Sequence, residues 1–263
     1  MKIHMGLDVG STTVKLVVID EENKILYSRY ERHLSDVKKT VEAILKDAYD
    51  RFKDCDLTIM VTGSGGMFVE KHLGISFIQE VVAASLAIKT FIPKTDVAIE
   101  LGGEDSKITY LTGNMDQRMN SICAGGTGAF IDQMASLLQT DAAGLNDLAK
   151  GHKKIYPIAS RCGVFAKTDI QALINQGANK EDIAASVFQS VVNQTISNLA
   201  QGRPIEGNIA LLGGPIHFLS QLEERFKLSL DDKANSFYVP ENGQVFVGLG
   251  ASLGRTYRYK AGV

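Results

Sequence analysis

Two stretches of this chain share one grammar, and that repetition constrains the fold more than any other feature. Asp8-Val9-Gly10-Ser11-Thr12-Thr13-Val14-Lys15 and Glu100-Leu101-Gly102-Gly103-Glu104-Asp105-Ser106-Lys107 each place an acid first, an aliphatic second, glycine third and lysine eighth. An apolar run leads into each, Met1 to Leu7 and Val97 to Ile99, and another leaves it, Leu16 to Ile19 and Ile108 to Leu111. Apolar run, small hydroxyl-rich or glycine-rich turn, apolar run reads as strand, turn, strand. Used twice, it reads as a duplicated element. The first copy continues through Glu21-Glu22-Asn23-Lys24 into a third strand, Lys24 to Arg29.

Such turns suit phosphate. Backbone N–H groups at Gly10, Gly102 and Gly103, with the hydroxyls of Ser11, Thr12 and Thr13, can wrap phosphate oxygens, and Lys15 adds charge. Asp8 and Glu100 or Asp105 can hold Mg²⁺ through water. A third glycine signal follows a strand, Asn208 to Leu212, at Gly213-Gly214-Pro215. With no Cβ in the way, a flat ring such as adenine could lie close to that backbone. A pair of ordinary hairpins is the plain alternative.

The thiols form a second pattern. Ser121-Ile122-Cys123-Ala124-Gly125-Gly126-Thr127-Gly128 puts a cysteine before a glycine turn that opens a helix, Ala129 to Gln139. Cys162-Gly163-Val164-Phe165-Ala166 repeats thiol, glycine and apolar-periodic segment. Unpaired N–H groups at a helix start favour a thiolate. Both cysteines read equally as small buried hydrophobes that precede helices. Cys55, in an acidic turn without glycine, reads as incidental. Three cysteines make no disulfide framework and fit a reducing compartment.

Helical periodicity marks Ser35 to Phe52, Glu80 to Phe91, the polar stretch Thr140 to Lys150 and the long Glu181 to Gln201, and Val245 to Gly254 reads as a helix with a small-residue face. Leu57 to Val61 reads as a buried strand leading to the glycine turn Thr62 to Gly66 and a further helix, while His33 and His72 read as solvated among charges. A net charge of −2 offers no basic field for nucleic acid or an anionic membrane. No stretch approaches eighteen apolar residues and no leader precedes Gly6, so the expected location is the cytoplasm.

Asp8 to Lys15, Glu100 to Lys107 and Leu211 to Pro215, in this order, resemble the actin, heat-shock-protein-70 and sugar-kinase superfamily. The cysteine segments narrow the resemblance to the activators of 2-hydroxyacyl-CoA dehydratases and benzoyl-CoA reductases, among the BadF/BadG/BcrA/BcrD ATPases. The resemblance implies an α/β fold of two ribonuclease-H-like lobes with ATP or ADP and Mg²⁺ in the interlobe cleft. The lobes would be residues 1–93 with 245–263, and 94–244. It implies a homodimer in which Cys123 and Cys162 of each copy bind one 4Fe-4S cluster, a count that agrees with a cubane's need for four cysteines. Gly125, Gly126, Thr127 and Gly128 belong to the first cysteine motif, and Gly213, Gly214 and Pro215 to the nucleotide site. The implied activity is ATP-gated electron transfer, from a ferredoxin or flavodoxin to an iron–sulfur dehydratase or reductase. Ile122, Gly125, Ala129 and Lys167 depart from the usual activator pattern, and similar domains occur inside longer fused polypeptides. An amino-sugar kinase on the same lobes, or an ATP-binding regulatory module without redox chemistry, are the alternatives.

Overall fold

The structure, a computed structural model, describes residues 1–120, 125–160 and 162–254. The chain divides into two compact units, Met1–Lys94 with Val245–Val263, and Thr95–Gln244.

The first unit opens with the hairpin of β1 (Lys2–Val9) and β2 (Thr13–Asp20), and β3 (Ile25–Arg32) extends it antiparallel. Helix α1 (Val37–Phe52) then carries the chain to β4 (Asp56–Thr62), which runs parallel to β1. Asp36 caps α1, its carboxylate accepting from the Lys39 N–H. Helix α2 (Gly66–Leu73) and the two-residue strand β5 (Ser76–Phe77) complete a sheet of order β3-β2-β1-β4-β5. Both central strands are continuous apolar runs, because helices cover the sheet: Ile3, Leu7, Val14, Leu16 and Val18 pack with Val41, Ile44 and Ala48 of α1.

Helices α3 (Glu80–Phe91) and α10 (Phe246–Leu253), the latter preceded by a 3-10 turn at Gly243–Val245, belong to this unit. Val247 and Ala251 pack with Ala83, Ala84 and Ile78. The small-residue face expected of this helix lets the backbones meet. A Cβ on Gly250 would fall 1.8 Å from the Ala83 carbonyl oxygen.

The second unit repeats the plan. β6 (Val97–Leu101), β7 (Ser106–Tyr110) and β8 (Asp116–Asn120) are antiparallel, β9 (Gly207–Leu212) runs parallel to β6, and β10 (Ala234–Tyr238) parallel to β9. The order β10-β9-β6-β7-β8 matches the first sheet strand for strand. Each unit is thus one ribonuclease-H-like α/β layer. The copies differ in what joins the third strand to the fourth. Where the first has α1 alone, the second inserts α4 (Gly128–Leu137), α5 (Ala142–Ala149), α6 (Gly163–Asn175) and the long α7 (Lys180–Ala200). Both cysteine motifs fall in this insertion. Helices α8 (Gly214–Phe218) and α9 (Ser220–Leu230) lie between β9 and β10.

An extended segment, 153–160, runs from α5 toward Cys162 and is pinned from below. Asp182 accepts from the N–H groups of Lys153 and Lys154 at 2.7 and 2.9 Å, Ser186 Oγ from Tyr156 N–H at 2.8 Å, and Asp169 from Ala159 N–H at 2.8 Å. Those two backbone bonds hold the Asp182 carboxyl below its ordinary value of 3.8, against the opposing effect of burial. Its stabilisation is therefore present above pH 3.8 and lost as pH falls through the lower folded value. Asp182→Asn is expected to unfold at lower urea than the native chain at neutral pH, with the gap in midpoints closing under acid. An equal gap at every pH would show that the carboxylate charge is immaterial.

Two expectations change. Leu57 is 38% exposed and only Val61 and Thr62 of β4 are buried, so this strand is not buried throughout. His33 is buried at 8% exposure rather than solvated, while His72 is exposed. Cys55, read as incidental, packs against the first unit's core, which leaves that reading as it was. Among the described residues, no helix is long and apolar enough to cross a membrane.

Candidate functional site

The repeated motif is realised in register. In the first hairpin Asp8 pairs across the sheet with Lys15, and in the second Glu100 pairs with Lys107. Strand pairing puts the first and eighth residues opposite each other, so the acid and the lysine of the sequence pattern become an ion pair. Lys15 Nζ lies 2.9 Å from Asp8 Oδ2. Lys107 Nζ lies 2.7 Å from Asp105 Oδ2 and 3.9 Å from Glu100 Oε1. The turns close alike: Gly10 N–H donates to Thr13 O at 2.9 Å, and Gly102 N–H to Asp105 O at 2.8 Å. Asp105 thus occupies the place of Thr13. Its carboxylate curls over Gly102, where a Cβ would fall 2.0 Å from Oδ1.

Within the first turn Ser11 is exposed, Thr12 half-buried and Thr13 buried, so two of the three hydroxyl residues remain open to a ligand. Asp8 is 3% exposed and sits beside Thr62 of β4, whose buried hydroxyl has no partner among the described residues. Carboxylates paired with lysine and close to water-accessible turns are suited to hold a divalent cation through water. The residues therefore fit Mg²⁺ in chemistry.

A second repeated feature escaped the sequence reading. Each unit's fourth strand ends in a glycine with positive φ, Gly63 at +94° and Gly213 at +97°. Both pack on the aliphatic second residue of the motif. A Cβ at Gly63 would meet Val9 O at 2.3 Å, and one at Gly213 would meet Leu101 O at 2.0 Å. At Gly213 the missing side chain therefore makes room for β6 backbone. Gly214 is buried and Pro215 stands in the first turn of α8. Burial pushes the neighbouring His217 below its ordinary value, with Glu223 opposing. The pairing could have been found by aligning Thr62-Gly63 with Leu212-Gly213, each just past a strand. Gly213→Ala is expected to cost about 1–3 kcal/mol, lowering the melting temperature by about 2–10 °C. An unchanged melting curve would show that this close approach relaxes without cost.

Gly125, Gly126, Thr127 and Gly128 lead into α4. Gly125 and Gly126 lie against Gln194 and Thr195 of α7, Thr127 is fully buried as the N-cap, and Gly128 packs on Pro215 and Gly102. The first two N–H groups of α4 are occupied: Gly128 donates to Gly102 O at 3.0 Å and Ala129 to Gly103 O at 2.7 Å. The free donors expected at that helix start are thus already bonded to the hairpin turn. Cys123 itself lies outside the described residues.

Cys162 is the N-cap of α6, with φ −145° and ψ 125°, its carbonyl accepting from Ala166 N–H at 3.0 Å. It is half-buried and free, and makes no capping hydrogen bond through sulfur. Val164 and Phe165, just beyond it, are 72% and 66% exposed. Such a thiol fits as one ligand of a cluster. Among the described residues no group of three or more His, Cys, Asp or Glu could hold a metal ion, so the remaining ligands would come from elsewhere.

A duplicated ribonuclease-H-like sheet with a carboxylate–lysine turn in each copy defines the actin-like and sugar-kinase class of ATPase folds. Within that class the chain belongs to the BadF/BadG/BcrA/BcrD ATPase family, whose model matches residues 5–253. It is 30% identical over 257 residues to the 2-hydroxyisocaproyl-CoA dehydratase activator of Clostridioides difficile, covering 95% of this chain and 93% of that one. It is 29% identical over 215 residues to the (R)-2-hydroxyglutaryl-CoA dehydratase activating ATPase of Acidaminococcus fermentans, covering 80% and 82%. The solved activator of the 2-hydroxyisocaproyl-CoA dehydratase from Clostridium difficile, with bound ADPNP, superposes with a TM-score of 0.82 at 26% identity, over 95% of this chain and 93% of that one.

Proposed function

We propose that this chain is an activating ATPase that passes one electron from a 4Fe-4S cluster, shared by two copies, to a partner iron–sulfur enzyme such as a 2-hydroxyacyl-CoA dehydratase or related reductase. The observation that carries this reading is the setting of Cys162, a free half-buried thiol at a helix start, on a segment pinned by Asp182, Ser186 and Asp169. Family membership and the in-register acid–lysine turns support the nucleotide half of the reading.

In this reading the residues have the following roles. Ser11, Thr12, Thr13, Lys15 and the N–H groups at Gly10, Gly102 and Gly103 bind phosphate oxygens, while Asp8, Glu100 and Asp105 orient Mg²⁺ and the attacking water. Gly213, Gly214 and Pro215 seat the nucleotide base edge. Gly125, Gly126, Thr127 and Gly128 carry the chain from Cys123 into α4. Cys123 and Cys162 each give one thiolate, and a homodimer gives four. A bound cluster supplies low-potential one-electron chemistry, with a ferredoxin or flavodoxin as the source. The two compact units serve as the lobes, and the protein works in the cytoplasm, away from membrane and nucleic acid.

Anaerobic purification tests the reading. The expected result is a brown dimer with about four irons that binds Mg·ADPNP. A colourless, iron-free protein that consumes ATP only with an amino sugar present would replace this reading with a kinase.

A further inference from the structure

His33 is the buried titratable group that nothing above employs. It follows β3 at the end of the sheet where the first turn also lies, and its backbone N–H donates to Thr12 O at 3.2 Å. The ring is buried, at 8% exposure. Nδ1 lies 3.2 Å from the Ser35 backbone nitrogen, which donates to it. Nδ1 is therefore the acceptor nitrogen, and in the neutral ring the proton is on Nε2. Nε2 has no partner. A buried N–H donor without an acceptor is costly, and such groups are rare in folded chains.

The backbone adds a second, independent oddity. Leu34 and Ser35 both adopt left-handed conformations, φ +46° and +70°, although neither is glycine. The Leu34 side chain is 84% exposed, so no packing of its own compensates for the strain. What the two strained residues accomplish is local. They reverse the chain so that Asp36 N–H meets His33 O at 2.7 Å and Ser35 N–H meets Nδ1, which fixes the ring, while the backbone of His33 is bonded to the hydroxyl turn through Thr12. Thr62, with its own unpartnered buried hydroxyl, lies at the same end of this sheet, across from Asp8.

We propose that His33 is a phosphate ligand: its Nε2–H donates to an oxygen of the nucleotide's phosphate chain held on the Gly10–Thr13 turn. The proposal rests on the reading of that turn as a phosphate site. It makes His33 a residue prepared for an anion, with the missing acceptor supplied on binding.

Three full-length proteins test it, native, His33→Phe and His33→Gln, by calorimetric titration with Mg·ADPNP and Mg·ADP and by melting without nucleotide. Phenylalanine keeps the ring and removes the donor; glutamine returns an N–H near the Nε2 position. The expected result is binding of at least one nucleotide weakened about tenfold or more in the phenylalanine variant and largely restored in glutamine. The melting temperature without nucleotide should change little in His33→Phe, because removal of an unsatisfied donor offsets loss of the Nδ1 acceptor of the Ser35 N–H. A residue that only supports the fold would instead lower the melting temperature and leave affinity alone, which overturns the proposal. If the native chain binds neither nucleotide, the turn is no phosphate site and both ideas fall. If it binds and the phenylalanine variant binds equally, only the role of His33 falls. Should His33→Phe not fold, ring-nitrogen NMR of the native chain decides: the Nε2–H signal of His33, assigned by its loss in the glutamine variant, moves on saturation with nucleotide, and an unmoved signal overturns the proposal.

Discussion

Cys162→Ser is expected to bring bound iron from about four per dimer to near zero and to abolish activation of the partner enzyme, while ATP hydrolysis stays within a fewfold of native. Serine is nearly isosteric with cysteine but offers a hard, protonated oxygen where iron–sulfur clusters take a soft thiolate. The substitution is informative because of where Cys162 stands. It is the N-cap of α6, its sulfur makes no capping hydrogen bond, and serine is among the favoured residues there. Helix α6 should therefore be as stable or more so in the variant, and loss of iron cannot be put down to unfolding. Cys123→Ser should behave alike. A Cys162→Ser protein that keeps its iron and still activates a partner would remove this thiol from the centre.

Asp8→Asn should lower the turnover of ATP by about a hundredfold or more without weakening nucleotide binding. The change keeps the shape and removes the charge. Asp8 is almost wholly buried and, with Lys15 at 2.9 Å, it neutralises that cation. Without it, Lys15 loses its ion pair with Asp8, which on the proposed reading strengthens its attraction for the nucleotide. The cation and the attacking water would lose the group proposed to orient them, so the chemical step slows. Binding and rate should therefore move in opposite directions. Steady-state hydrolysis beside calorimetry reads both, and a variant turning over within threefold of native would exclude Asp8 from the reaction.

The duplication was legible because its signature is local: an acid, a glycine and a lysine at fixed offsets become cross-strand partners once the hairpin forms. Long periodic helices such as α1 and α7 were equally plain. The polar edge strand β8, Asp-Gln-Arg-Met-Asn, was not, because an edge strand needs no apolar alternation. His33 was misread for a related reason. Arg32 and Asp36 on either side are exposed, and only the reversal at Leu34 and Ser35 turns this one ring inward. The equivalence of Gly63 and Gly213 was harder to see because both are fixed by backbone approach across a sheet, and the letters show only a glycine just past each strand.

The repeated turns differ at several positions, with Glu104 in the place of Thr12 and Asp105 in the place of Thr13. In the first hairpin Lys15 pairs with Asp8; in the second, both Glu100 and Asp105 approach Lys107, so the second turn carries more carboxylates. An electrically neutral loop tolerates an oxyanion, whereas a residual negative charge invites a metal ion. The same device occurs twice in the chain, and the residues of its turn give each copy a different charge.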